Sequence, residues 1–134
     1  MRKTTNRGTL GMMHTELTGK VIAAAIEVHR ALGPGLLESA YQECLCHELK
    51  VRQVSFEREL ALPLQYKGVE LDCSYRIDLL VDGALVVEIK SVKLIERVHQ
   101  AQLLTYMKLG GWGLGLLINF NVQMLRNGLR RMVI

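Results

Sequence analysis

Cysteine, aromatic residues and long apolar runs are all scarce in this chain. There are three cysteines in 134 residues, and no CxxC pair. Cys44 and Cys46 are two apart on an expected helix and point to different sides, and Cys73 stands alone. Neither a zinc site nor a disulfide framework is indicated. Free thiols agree with a cytoplasmic protein. No apolar run approaches the ~20 residues of a membrane span, and the opening MRKTTNRGTLGMMHTE carries no apolar segment of the secretory kind. With one Trp, four Tyr and two Phe, an RNA-binding sheet built on stacking aromatics is not expected, and Trp112 is the one obvious stacking residue. The glycine-rich GGWGLGLL at 110–117 is not followed by GK[ST], which excludes a phosphate loop. Its glycines suit close packing of a central strand instead.

Acidic residues are missing from both ends. Arg2, Lys3 and Arg7 lie in residues 1–13, and Arg126, Arg130 and Arg131 in residues 122–134, with no acid in either stretch. The formal charge is +4, yet between the ends eleven basic side chains meet all thirteen acidic ones. The body is therefore no strongly basic platform; the ends could assist phosphate contacts, although solvated tails are the simpler reading. Residues 1–14 read as a flexible basic arm, and residues 15–134 as one domain with one core.

Within that domain the apolar residues are periodic. Val21, Ala24, Ala25, Val28, Ala31 and Leu32 have helical spacing, which predicts a helix over 15–32 with Thr15 or Thr18 as N-cap. Gly33-Pro34-Gly35 breaks the chain, and a second helix is expected over 36–50. Alternation then predicts strands near 53–60, 63–67, 69–72, 74–81 and 85–91. A third helix follows at 94–109, a buried strand at 113–119, and a short final strand. The order implies an α/β (α+β) domain with a mixed sheet flanked by helices.

The stretch RIDLLVDGALVVEIKS, residues 76–91, carries the chemistry. Tyr75, Ile77, Leu79 and Val81 alternate with Arg76 and Asp78; Leu85, Val87 and Ile89 alternate with Glu88 and Lys90. Each strand thus has a core face and a charged face. A two-residue Asp82-Gly83 turn would set Asp78 opposite Val87 and put the faces in conflict. A three-residue loop, 82–84, sets Asp78 opposite Glu88 and aligns them. The two-residue preference of Asp-Gly should therefore lose here, with positive φ at Gly83 or its neighbour. Directly opposed residues have Cβ atoms ~4.5–5.5 Å apart, so two carboxylates there repel and one is pushed towards protonation. A divalent cation or the ammonium of Lys90 would relieve this. The first reading is a phosphodiesterase site in outline, with Mg²⁺ on oxygen ligands and an acidified water. The second is a structural ion cluster in which Lys90 bridges both carboxylates.

Asp78 with Glu88-Ile89-Lys90 resembles the PD-(D/E)XK nuclease superfamily. Gly35-Leu36-Leu37-Glu38-Ser39-Ala40-Tyr41 resembles the GxxExxY signature of a small family within it, from about Thr15 to the C-terminus. Gln102-Leu103-Leu104-Thr105-Tyr106 resembles the QxxxY motif of the RecB-like branch. Ile77 stands where many members have proline. The resemblance implies a restriction-endonuclease-like core and Mg²⁺ or Mn²⁺ as cofactor. It implies Glu38, Asp78 and Glu88 as metal ligands with the Ile89 carbonyl, and Lys90 as the group that positions water and stabilises the transition-state charge. Gln102 and Tyr106 would contact substrate or hold Lys90; Tyr41 and Arg76 would assist.

Bland alternatives stand beside these roles. Glu38 suits a helix N-terminus, Tyr41 and Tyr106 suit a core rim, Arg76 suits a carboxylate partner, and His29 and His99 suit satisfied or surface positions. The leading expectation is a nuclease acting on nucleic acid, DNA above RNA, without membrane association. The alternatives are an inactive nucleic-acid-binding module and an oligomeric scaffold, with a homodimer pairing exposed sheet edges near 60–64 and 124–134.

Overall fold

The computed structural model describes the backbone of residues 7–134 and the side chains from Glu16 onward. Residues 1–6 of the expected basic arm lie outside the described residues. Helix α1 spans Arg7–Leu32, so it starts well before Thr15 and places Thr18 inside the helix, buried, instead of at its cap. Its 3.6-residue period buries Val21, Ala24, Ala25 and Val28 in one stripe. It ends where the Gly33 N–H reaches the His29 carbonyl at 2.7 Å with Gly33 at φ +69°, a left-handed conformation that glycine adopts without Cβ strain. Helix α2, Glu38–Val51, buries Tyr41, Leu45, Cys46 and Leu49 by the same logic.

The strands are β1 (Phe56–Ala61), β2 (Leu64–Tyr66), β3 (Val69–Leu71), β4 (Arg76–Val81), β5 (Leu85–Lys90), β6 (Leu114–Asn119) and β7 (Leu129–Val133), with helix α3 (Arg97–Gly110) between β5 and β6. A short 3₁₀ turn, Leu125–Gly128, was not legible in the sequence. Five strands form one mixed sheet in the order β1-β4-β5-β6-β7, while β2 and β3 form a separate ribbon. Only β5 and β6 are parallel, and α3 supplies the crossover that a parallel pair requires. Helices α1 and α2 cover one sheet face around Leu79, Val81, Leu85, Val87, Leu116 and Ile118. Helix α3 covers the other through Leu103, Tyr106 and Met107 on Leu80, Val86 and Leu117. A Cβ at Gly115 would run into Met107 Sδ and Leu103, so this glycine allows α3 to lie close on β6.

This corrects the expected division into a core face and a charged face. Both faces of β5 are buried, because α3 covers the side on which the charges lie. Parity also fails in β4. Leu79 and Val81 face α1 and α2, but Ile77 packs in the α3 cluster. The strand turns over at Asp78.

Two hairpins contrast in their turns. Lys67-Gly68 closes a two-residue turn, pairing Tyr66 with Val69. Asp82-Gly83-Ala84 closes a three-residue loop, pairing Val81 with Leu85, and both Asp82 and Gly83 have positive φ, 52° and 65°. The β2–β3 ribbon is largely exposed, so burial does not dictate its register. The β4–β5 pair is buried on both faces, and burial overrides the local preference of Asp-Gly.

Candidate active site

The carboxylates of Asp78 and Glu88 meet where the β4–β5 ladder stops. The regular pairs run Val81↔Leu85, Leu80↔Val86 and Leu79↔Val87, and their register places Asp78 across from Glu88. There the side chains replace the ladder. The Asp78 N–H donates to Glu88 Oε2 at 2.9 Å, and the Ile89 N–H donates to Asp78 Oδ2 at 2.7 Å. Each carboxylate thus satisfies an amide that the diverging strands would leave unpaired.

These groups carry charge at a cost. Glu88 is 5% exposed, and burial, then the charge of Asp78, pushes its carboxyl up to about 8. Asp78 is raised to about 6, chiefly by burial, with the charges of Glu38 and Glu59 adding to the rise and the Ile89 N–H and Lys90 opposing it. The pair releases its protons in coupled steps.

Lys90 follows two residues beyond Glu88 on the same strand face, but among the described residues it forms no ion pair with either carboxylate. Its Nζ instead lies 3.3 Å from Gln102 Oε1, and Gln102 Nε2 donates to the Tyr106 hydroxyl at 3.0 Å. Gln102 and Tyr106 are one helical turn apart on α3, which is why one side chain can hold the next. The ion cluster bridged by Lys90 is therefore not what forms.

Glu38 is the first residue of α2, exposed, and near enough to raise both carboxyls. The loop before it is tied down twice. Ser91 Oγ donates to the Leu36 carbonyl at 2.6 Å, and the Tyr41 hydroxyl donates to the Gly33 carbonyl at 2.6 Å while accepting from Leu36 N–H at 3.1 Å. Tyr41 is fully buried and stacks on Phe120, ring centroids 4.6 Å apart. It supports the loop that delivers Glu38 and does not reach the carboxylates. Arg76 is exposed at the start of β4 and among the described residues makes no ion pair, so it is not the partner of Asp78 or Glu88. His29 Nε2 lies 2.7 Å from the Val122 carbonyl, and His99 Nδ1 accepts the Glu96 N–H at 2.9 Å, which explains both histidines structurally.

Two residues escaped the sequence reading. Glu59 lies between the pairs Arg58↔Leu79 and Leu60↔Ile77, so it occupies the rung of Asp78, and it has φ +53° inside a strand. Gln42, one turn beyond Glu38, donates to Glu59 Oε2 at 2.6 Å. Three acids on three adjacent strands thus share one level. The interval between Glu59 and Asp78 carries no pattern that the chain order reveals. The second is Asn119, paired with Lys90 across β5–β6. Its amide Oδ1 accepts the Val92 N–H at 3.0 Å and its Nδ2 donates to the Val92 carbonyl at 2.9 Å, which fixes the segment leaving Lys90.

A family model of the PD-(D/E)XK nuclease superfamily matches residues 15–132. The chain belongs to this superfamily. Its members are generally nucleases, and they usually use divalent metal ions such as Mg²⁺. The mixed five-stranded sheet with helices on both faces is consistent with the restriction-endonuclease-like fold of PD-(D/E)XK proteins. No curated protein and no solved structure matches the chain. No helix among the described residues is long and apolar enough to cross a membrane.

The donor set suits a hard cation. Asp78, Glu88 and Glu38 offer only oxygen, and half-buried Asp78 and buried Glu88 have no cation within ion-pair distance among the described residues. No three His, Cys, Asp or Glu groups among the described residues are close enough to hold a metal by themselves. A bound cation would draw the rest of its shell from water and main-chain oxygen, as Mg²⁺ commonly does.

Proposed function

We propose that the protein is a Mg²⁺- or Mn²⁺-dependent nuclease of the GxxExxY family, in the RecB-like branch, hydrolysing phosphodiester bonds of nucleic acid, DNA above RNA, in the cytoplasm. One observation carries this reading: a buried and a half-buried carboxylate lie side by side with no protein cation paired to them among the described residues, next to a lysine held by a glutamine instead. Such carboxylates favour either protons or a metal ion.

Asp78, Glu88 and the Ile89 carbonyl would hold the cation, with Glu38 completing the shell directly or through water. The bound cation supplies neutralisation of phosphate charge and acidification of a water. Lys90, oriented by Gln102, donates a hydrogen bond to the attacking water or to the charge that develops on the phosphoryl oxygens. The Lys90 ammonium, a donor only, takes the carbonyl end of the Gln102 amide, and the Tyr106 hydroxyl accepts from its NH₂ end. Tyr41 acts through the loop that presents Glu38. Arg76, exposed and without an acidic partner among the described residues, is available to a backbone phosphate.

The test is cleavage of labelled single- and double-stranded DNA and RNA, with EDTA, Mg²⁺ and Mn²⁺ arms, by wild type, Glu88→Ala and Lys90→Ala. Metal-dependent cleavage lost in both variants supports the reading. Cleavage that survives Glu88→Ala removes it. The alternative is a binding module that retains the fold without turnover. It is favoured by the engagement of both carboxylates with backbone amides, and it predicts salt-sensitive binding without metal-dependent cleavage.

A further inference from the structure

Beside the carboxylates, a groove of about 500 Å³ runs between α3 and the chain entering β4. Its walls are Leu64, Tyr75, Val98, Gln102, Tyr106 and Leu109. The volume falls in the range of small-ligand pockets, about 300–1,000 Å³. The groove is continuous with the candidate site, because Gln102 and Tyr106 belong to both: the amide that holds Lys90 forms part of the groove wall.

The lining determines what can enter. It contains no Asp, Glu, Lys or Arg, so no full charge awaits a phosphate or an ion there. It does contain two aromatic rings, Tyr75 and Tyr106, with centroids 5.9 Å apart and planes tilted by 54°. Tyr106 is buried, but Tyr75 is 44% exposed and Val98 64% exposed, so an apolar rim and a free ring face remain on the open side. The Gln102 side chain and the His99 ring add polar groups at the edge. A flat, uncharged ring with polar edges matches this surface. A nucleobase has that form, and base–aromatic stacking tolerates any sequence.

Taking the nuclease reading as its premise, we propose that this groove accepts an unpaired base of the substrate strand, next to the phosphodiester held near Asp78, Glu88 and Lys90. A base in a duplex is stacked and paired, and extracting it costs a few kcal/mol. The enzyme therefore acts on single strands, or on duplexes with single-stranded ends or flaps, ahead of continuous duplex.

The test compares wild type, Tyr75→Ala and Tyr75→Phe for binding of a short labelled single-stranded oligonucleotide and its duplex, with EDTA to prevent cleavage, and for Mg²⁺-dependent cleavage of both. Tyr75 lies at the surface and outside the regular strand, so its truncation leaves the buried clusters intact. Loss of a stacking ring should weaken single-strand binding on the order of 5- to 150-fold in Tyr75→Ala. Tyr75→Phe should bind as wild type does. A strand lacking the base beside the cleaved position should make wild type behave like Tyr75→Ala. Unchanged single-strand binding in Tyr75→Ala, or tighter binding of the continuous duplex by wild type, overturns the proposal. The two readings fail separately. Cleavage abolished by Lys90→Ala but indifferent to Tyr75→Ala leaves the nuclease and removes the groove. Tyr75-dependent single-strand binding without any metal-dependent cleavage does the reverse.

Discussion

The two halves of the β4–β5 hairpin are built from opposite materials. Near the turn, Leu79, Leu80, Val81, Leu85, Val86 and Val87 pair in regular register, buried on both sides. Beyond Leu79 and Val87 the ladder gives way to two carboxylates, each accepting an amide of the facing strand. The turn half contributes apolar burial to stability. The open half confines charges that folding alone disfavours, so it persists because the first half holds the strands in register. Stability and chemistry sit on the same two strands, a few residues apart, and substitutions should separate them.

The largest separation is expected from Glu88→Gln and Lys90→Ala. Cleavage should fall on the order of 10²–10⁴-fold, as when an electrostatic or proton-transfer group is removed. Thermal unfolding should show Glu88→Gln at least as stable as wild type, because the amide keeps an acceptor for the Asp78 N–H and removes a buried group that is costly to ionise. A large drop in melting temperature in Glu88→Gln would contradict the division between the halves.

The turn half should respond in the opposite way. Leu79→Ala leaves a cavity at a fully buried position between the sheet and α1 and α2, at a cost of about 2–5 kcal/mol in denaturant unfolding. Activity per folded molecule should change far less than in Glu88→Gln.

The pH dependence sharpens the contrast. Asp78 at about 6 and Glu88 at about 8 both lie above their unfolded values of 3.8 and 4.5. The folded protein therefore holds more protons than the unfolded chain between about 4 and 8. Stability should fall as pH rises through that window and level off above it, in the absence of divalent metal. Glu88→Gln should flatten the slope. Mg²⁺ should raise the melting temperature more at pH 8.5 than at pH 5.5, because it competes with protons for the same oxygens. Melting curves with EDTA or Mg²⁺ across this range provide the check.

Smaller effects are expected at the supports. Tyr41→Phe removes a buried hydroxyl that joins the Gly33 carbonyl and Leu36 N–H, which should cost about 1–2 kcal/mol and loosen the presentation of Glu38. The smallest shift belongs to Glu59→Gln. Its charge raises Asp78, so the substitution should lower the midpoint of the Asp78 carboxyl in an NMR titration without moving the core. An unchanged midpoint would mean that Glu59 does not share the electrostatics of the site.

Much of this was legible in the chain. The helix periods, the breaks at Gly33 and Lys67-Gly68, and the three-residue loop at Asp82 follow from local pattern and turn chemistry. So does the register that places Asp78 across from Glu88, because one slip would bury charge throughout a strand. The face assignment was only partly legible. Alternation located the charged side of the hairpin, but it could not say that α3 would cover that side, nor that β4 would turn over at Asp78.

The sequence by itself determined most of the helices and strands, the hairpin register and the residue types able to hold a hard cation or orient water, because these depend on neighbours a few residues apart. Only the tertiary structure decided that Lys90 is held by Gln102 and not by the carboxylates, and that Glu59 joins their rung. It alone decided that Tyr41 serves the loop and that Tyr75 opens onto a groove beside the site. Each of those outcomes depends on desolvation and contact between segments distant in the chain. Burial and charge sum over everything that folding brings close, and no local spacing encodes that sum.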